Sequence, residues 1–403
     1  MTLPLIHGLG SLPLAGKVRR IASRLRHKLA PGARPARSYS TAATLDLSAP
    51  DVAGNPFPHY EELRRTGSVH FLPRNGFWLV IGYDEVHSAL MQPQVFSSRA
   101  QDWMEVDSVL LGADPPQHTA ARRAVSRLFS AEALEAQAAF AERSAERLLR
   151  TLGAGEALDV LRDFTFPLSE DVVAHLVGFD EATLAAARAT QNNVNDLGQW
   201  LAALDAVIAG AAARTPAYGQ LMRDGEGSFT HADVRSLIRF LWLAGTTTTR
   251  RATASSVLML LRHPPARAQV EADPSLLSAF VDESLRMHPP EHTISRVAAS
   301  EVELSGVKIP AGGWVKLCMG AANRDPARFD DPASFLLHRT PNRHLSFGGG
   351  IHRCVGASLA RVEIAAALRV LLRLAPRFRS VQPLDTLRYA GFANDTEQLV
   401  IEC

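Results

Sequence analysis

The chain has 403 residues, 46% of them hydrophobic and 21% charged, enough apolar material for a large core without a disulfide or zinc staple. Its three cysteines, Cys318, Cys354 and Cys403, cannot build a disulfide framework and form no C-x-x-C pair, so a reducing compartment is expected. No apolar run approaches the ~20 residues needed to cross a bilayer, and collagen-like, disordered and multi-span membrane classes are excluded with it.

The formal net charge of +2 is unevenly spread. Residues 1–45 carry eight basic residues (Lys17, Arg19, Arg20, Arg24, Arg26, Lys28, Arg34 and Arg37) and no acid, leaving 35 basic and 41 acidic residues for the rest. An acidic body behind a basic leader is not the pattern of a nucleic-acid binder, whose cations should lie on the fold itself. Within the leader, Val18, Ile21, Ala22, Leu25 and Leu29 fall at helical spacing opposite the arginines. Three readings stay open in this order: a loosely docked terminal helix, a basic amphipathic helix on an anionic surface, and an organellar transit peptide.

From residue 46 to 403 the pattern reads as one continuous domain. Residues 69–82, VHFLPRNGFWLVIG, predict two short strands around an Arg-Asn-Gly turn. Helical patterns follow at roughly 84–91, 116–150, 156–176, 181–213, 231–262, 266–272 and 275–287, with Ala-rich stretches that favour helix strongly. Residues 301–320 return to strand character, a meander runs from Asn323 to His344, and a last strong helix is expected over 357–374. The fold class is therefore mainly α with minor β sheets, in a single large domain.

The segment Phe347-Gly348-Gly349-Gly350-Ile351-His352-Arg353-Cys354-Val355-Gly356 carries the chemistry. Three glycines give a backbone that can approach another group closely and take positive φ. The cysteine stands at a helix N-terminus, where free N–H groups favour a thiolate. With no second ligand at metal spacing, a lone thiolate suits an iron whose other ligands come from a cofactor. The string matches F-G-x-G-x-H-x-C-x-G at every fixed position, and from about residue 50 onward the chain resembles the cytochrome P450 family.

That resemblance implies the cytochrome P450 fold and a haem b (iron protoporphyrin IX) cofactor. Cys354 would be the axial ligand to iron, His352 would lie near a haem propionate, Phe347 would pack beside the thiolate, and Gly348 would also bind the cofactor. Val281-Asp282-Glu283-Ser284-Leu285-Arg286 supplies an E-x-x-R pair sharing a helix face. In the family, Glu283 and Arg286 tie structurally to a meander arginine, aligned here with Arg339. His118 and Arg122 project together four residues apart. With Arg296, whose fork can bind carboxylates bidentately, they resemble the family's propionate contacts.

In the long apolar helix, Ala244 and Gly245 would open a groove for dioxygen, and Thr248 would organise the water that delivers protons. The family's usual acid before that threonine is replaced by Thr247, and a hydroxyl cannot stand in for a carboxylate as a proton donor. Catalytic roles thus fall to Cys354, Thr247 and Thr248. Pocket candidates are Trp103, Met104, Val109, Leu110, Leu243, Thr293, Ile294 and Phe392.

The resemblance implies a monooxygenase placing one oxygen atom from O2 into a hydrophobic small molecule of terpenoid, fatty-acid or other secondary-metabolite type. With no flavin or nicotinamide fingerprint in the chain, electrons would come from a ferredoxin and its reductase, docking near Arg123, Arg353 and Arg361. A cytoplasmic location is expected, or an organellar one if the leader is a transit peptide. Two other functions stay open: a peroxide-dependent oxygenase or oxidative coupling or rearrangement catalyst, suggested by Thr247, and a non-catalytic partner-binding relative.

Overall fold

Helical periodicity governs most of the chain, and the strands fall where glycine and proline interrupt it. The computed structural model describes residues 40–402, apart from 48, 50–51, 53, 100–108, 151–156, 191–196, 226, 382, 385–387, 391–392 and 396–397. Helices α1 (Ser40–Thr44) and α2 (Phe57–Arg64) precede the hairpin of β1 (Val69–Leu72) and β2 (Phe77–Val80). Helix α3 (Tyr83–Leu90), β3 (Phe96–Ser97), α4 (Gln117–Ser126), α5 (Ala131–Arg150) and β4 (Ala157–Asp159) follow. A π turn over Val160–Thr165 leads into α6 (Phe166–Val177), α7 (Glu181–Ala189), α8 (Leu197–Ala211) and α9 (Pro216–Asp224). The 32-residue α10 (His231–Arg262) comes next, then α11 (Pro264–Ala272) and α12 (Leu277–Met287). Strands β5 (Thr293–Ala298), β6 (Val302–Leu304), β7 (Val307–Ile309) and β8 (Trp314–Cys318) lead through α13 (Met319–Ala322) to the meander and α14 (Ala357–Leu374). Short strands β9 (Arg379–Ser380), β10 (Arg388–Ala390), β11 (Ala393–Asp395) and β12 (Val400–Glu402) close the described chain.

The main sheet has five strands in the order β1-β2-β8-β5-β3. Its β2–β8 contact is parallel, Trp78 opposite Val315, and β5–β8 is antiparallel, with Ser295 opposite Lys316 and Arg296 opposite Val315. Because side chains alternate across a strand, Ser295 and Arg296 leave β5 on opposite faces. Helix α10 packs against α6, α8, α9, α12 and α14, and its C-terminal third is buried from Ala252 to Leu260. Thr230 and Asp233 form a reciprocal capping box at its start. No helix among the described residues is long and apolar enough to cross a membrane.

Three departures from the sequence pattern have local causes. The helix expected over 116–150 breaks at Ser130, which takes an extended backbone while its hydroxyl accepts the Ala133 N–H. The helix expected from 156 begins as a strand because residues 157–159 pair with 400–402, and Asp159 then caps the following turn. Ala42 and Leu45, inside the segment read as leader, are buried with Tyr60 and Leu79, so the packed body reaches back to Ala42.

Candidate active site

The cysteine loop is held in shape by its own backbone. Gly348 and Gly350 both take positive φ, +66° and +62°, a conformation that disfavours any side chain. A Cβ on Gly350 would also fall 2.2 Å from the Leu90 carbonyl oxygen, so the loop lies directly on the end of α3. The Cys354 N–H donates to the Phe347 carbonyl at 2.8 Å, closing the loop, and Gly356 caps α14 two residues later. The side chain of Cys354 is exposed, yet protein atoms crowd around it. That desolvation pushes its thiol up, while the Gly356 N–H and the charges of Arg122, Arg353 and Arg361 pull it down. Phe347 is partly buried beside it, with the Arg361 guanidinium 4.4 Å from its ring centre.

Behind the loop, the meander is locked to α12. Glu283 and Arg286 are fully buried and form a two-pronged ion pair, with both N–O distances 2.8 Å. Arg286 also donates to the carbonyls of Asn323, Pro332 and Ser334. Arg339 Nε sits 3.2 Å from each Glu283 oxygen, and Leu336 N–H and Asn342 Nδ2 complete the set of donors to that carboxylate. Glu283, Arg286 and Arg339 thus meet at one point, with every charge answered.

A second cluster has the opposite character. The rings of His118 and His352 lie 4.1 Å apart, and the Nε2 of each is buried without a hydrogen-bond partner among the described residues. Arg296 is buried, and Arg122 reaches the Arg353 carbonyl beside the cysteine. Burial, with the neighbouring cations behind it, holds His352 down at about 3 and lowers His118. Burial alone takes Arg296 down to about 10 against a pull from Asp114. Four donors converge with too little negative charge, which is a cradle for anionic groups. Two propionates and a thiolate-bound iron are what this donor set fits. His118, Arg122, Arg296 and His352 would hold the carboxylates, and Cys354 the metal.

The stripe of α10 that carries Ala244, Thr247 and Thr248 is half-buried. The hydroxyls of Thr246, Thr247 and Thr248 donate to the carbonyls of Trp242, Leu243 and Ala244 at 2.7, 2.6 and 2.7 Å. Each proton is therefore committed to the helix, which stays continuous through four threonines. Gly245 answers to packing, since a Cβ there would fall 2.5 Å from Val173 Cγ2 on α6. Leu110 and Leu243 share one apolar cluster with Val109, whereas Ile294 packs with the sheet. Trp103, Met104 and Phe392 lie outside the described residues. Of the basic candidates, Arg361 is paired with Asp282 at 2.7 Å, and Arg123 and Arg353 are exposed.

Sequence reasoning missed Glu363, fully buried on α14, where burial raises its carboxyl to about 8 while Ser169 Oγ donates to it at 2.5 Å. Its signal was an acid within the apolar stripe Leu359, Ala366 and Val370. Also missed was the ion pair of Arg251 and Glu291, whose members are 40 residues apart and share no local pattern.

A family model described as Cytochrome P450 matches residues 217–388. Cytochrome P450 monooxygenase PikC of Streptomyces venezuelae is 33% identical over 368 residues, covering 82% of this chain and 87% of that protein. The 6-deoxyerythronolide B hydroxylase of Saccharopolyspora erythraea is 32% identical, over 81% of this chain and 90% of its own. Among solved structures, a myxobacterial cytochrome P450, CYP267B1 in complex with myristic acid, superposes with a TM-score of 0.79. It shares 29% identity, with 89% of this chain and 99% of that one covered. The chain belongs to the cytochrome P450 family. It is accordingly a P450 monooxygenase, an oxidoreductase whose family implies a haem-iron cofactor, redox partners and a hydrophobic substrate.

Proposed function

We propose that the chain binds haem b through Cys354 and inserts one oxygen atom from O2 into a hydrophobic secondary metabolite, terpenoid or fatty-acid-like molecule. The observation that carries this reading is the partnerless donor cluster of His118 and His352, set with Arg122 and Arg296 behind the cysteine loop. The bound haem supplies oxygen activation; the protein supplies position and charge. His118, Arg122, Arg296 and His352 fix the orientation of the group by its carboxylates. The N–H of Gly356 and the surrounding arginines stabilise the Cys354 thiolate against the desolvation that opposes it. The Glu283–Arg286–Arg339 lock keeps the meander, and through it the cysteine loop, from moving.

Electrons come in this reading from a ferredoxin and its reductase, docking over the exposed Arg123 and Arg353. The catalytic domain, expected over 46–403, is taken to begin at Ala42 with a basic leader before it, and the location is taken as cytoplasmic. A second reading, a peroxide-driven oxygenase, is favoured by one observation: Thr247 spends its proton on the Leu243 carbonyl and offers no acid. Turnover driven by hydrogen peroxide, compared with turnover driven by a ferredoxin system, separates the two. Thr247→Asp is expected to raise the fraction of electrons that reach product in the ferredoxin assay. Unchanged or greater peroxide leakage in that variant contradicts the role given to position 247.

A further inference from the structure

Arg251 stands one turn beyond the threonines on the same stripe of α10, four residues after Thr247 and three after Thr248. Its side chain is 12% exposed, and the helix after it is buried from Ala252 to Leu260. One end of the guanidinium, Nη1, lies 3.3 Å from Glu291 Oε1. The Nε–H is buried and has no partner among the described residues. Arg250, the next cation along, is placed elsewhere, 4.4 Å from the centre of the Phe166 ring.

The surroundings add positive charge. Lys316 Nζ donates to Ser295 Oγ at 2.6 Å across the β5–β8 ladder and is within electrostatic reach of Glu291. Thr293, on the same face of β5 as Ser295, has a buried hydroxyl with no partner among the described residues. The cations Arg251 and Lys316 both face the Glu291 carboxylate, whose side chain is 39% exposed. This cluster is separate from the propionate cradle, because Arg296 leaves β5 on the other face.

Resting on the monooxygenase reading above, we propose that Arg251 anchors the carboxylate of an amphipathic acid substrate. The acid takes the Nε–Nη2 edge of the guanidinium side-on while Glu291 holds Nη1. Arginine alone allows this division, since its fork offers two donor edges at once. The substrate class is an acid with a long apolar body, its head at the Arg251 end of the stripe.

The test is calorimetric titration of the haem-loaded protein with dodecanoic acid and with its methyl ester, which share a chain and differ in charge. The acid is expected to bind at least about tenfold more tightly, the worth of a charge-assisted hydrogen bond. Arg251→Gln should abolish that preference and leave ester binding unchanged, and Arg251→Lys should keep part of it. Equal binding of acid and ester by the unaltered protein, binding of neither, or a preference that survives Arg251→Gln overturns the anchor. The unaltered protein decides even if a variant fails to fold. Absorbance of the same samples after reduction and carbon monoxide separates the two levels. A thiolate-type band without acid preference defeats the anchor alone, whereas the lack of that band defeats the reading beneath it.

Discussion

Glu283 is fully buried and the His118–His352 pair is largely so, but their polar atoms are treated in opposite ways. Glu283 accepts from Arg286, Arg339, Asn342 and the Leu336 backbone, so nothing about it awaits a ligand. The two imidazoles bury an Nε2 each with no partner among the described residues. Proteins rarely leave buried polar groups unanswered, because each costs about 1–3 kcal/mol. The satisfied carboxylate suits the scaffold, and the partnerless nitrogens that meet beside the cysteine loop suit a ligand. Arg251 Nε and Thr293 Oγ1 fall in the second class and motivate the substrate anchor.

The contrast can be broken most forcefully at Glu283. Glu283→Ala leaves Arg286 buried and unpaired, and a loss of about 3–5 kcal/mol is expected in denaturant unfolding. A variant as stable as the parent would show that the lock does not hold the meander. Glu363 sharpens the scaffold side through pH. Its folded pKa of about 8 lies above the usual carboxyl value of 4.5, so its protonated form favours the fold. The associated stability is complete below pH 4.5 and is lost as pH rises toward 8, at about 1.4 kcal/mol per pH unit. Glu363→Gln should remove that loss, making the variant increasingly more stable than the parent from pH 5 to pH 8. Parallel stability curves would contradict a buried neutral carboxyl.

Smaller effects follow at the helix crossing and in the cradle. Gly245→Ala drives a Cβ toward Val173 and should cost about 1–3 kcal/mol in thermal unfolding, partly restored by adding Val173→Ala. Failure of that rescue would return Gly245 to a role on the oxygen side. Arg122→Gln removes one of four cradle donors, and haem loss to an acceptor protein should quicken about tenfold while stability of the haem-free chain stays the same. A large stability change without faster haem loss would place Arg122 with the scaffold instead.

How far the sequence discloses this arrangement depends on how local each feature is. The glycine loop, the E-x-x-R pair and the His118–Arg122 pair are short-range patterns, and their side chains do come together in space. The hairpin around Arg74-Asn75-Gly76 is equally legible. Strand β4 is not, because what makes it a strand is β12, about 240 residues away. Gly245 reads from sequence as an opening, and the structure adds a close approach to Val173 on another helix. Arg251 and Glu291 share no local pattern, and only the fold brings them to 3.3 Å.

Absorbance of the reduced protein under carbon monoxide addresses the proton-free core of the account, the sulfur of Cys354 on iron. A strongly red-shifted Soret band, absent from Cys354→Ala, is the result expected of a thiolate ligand. A chain that takes up no haem, or a band at the position of a nitrogen-ligated haem, would contradict it.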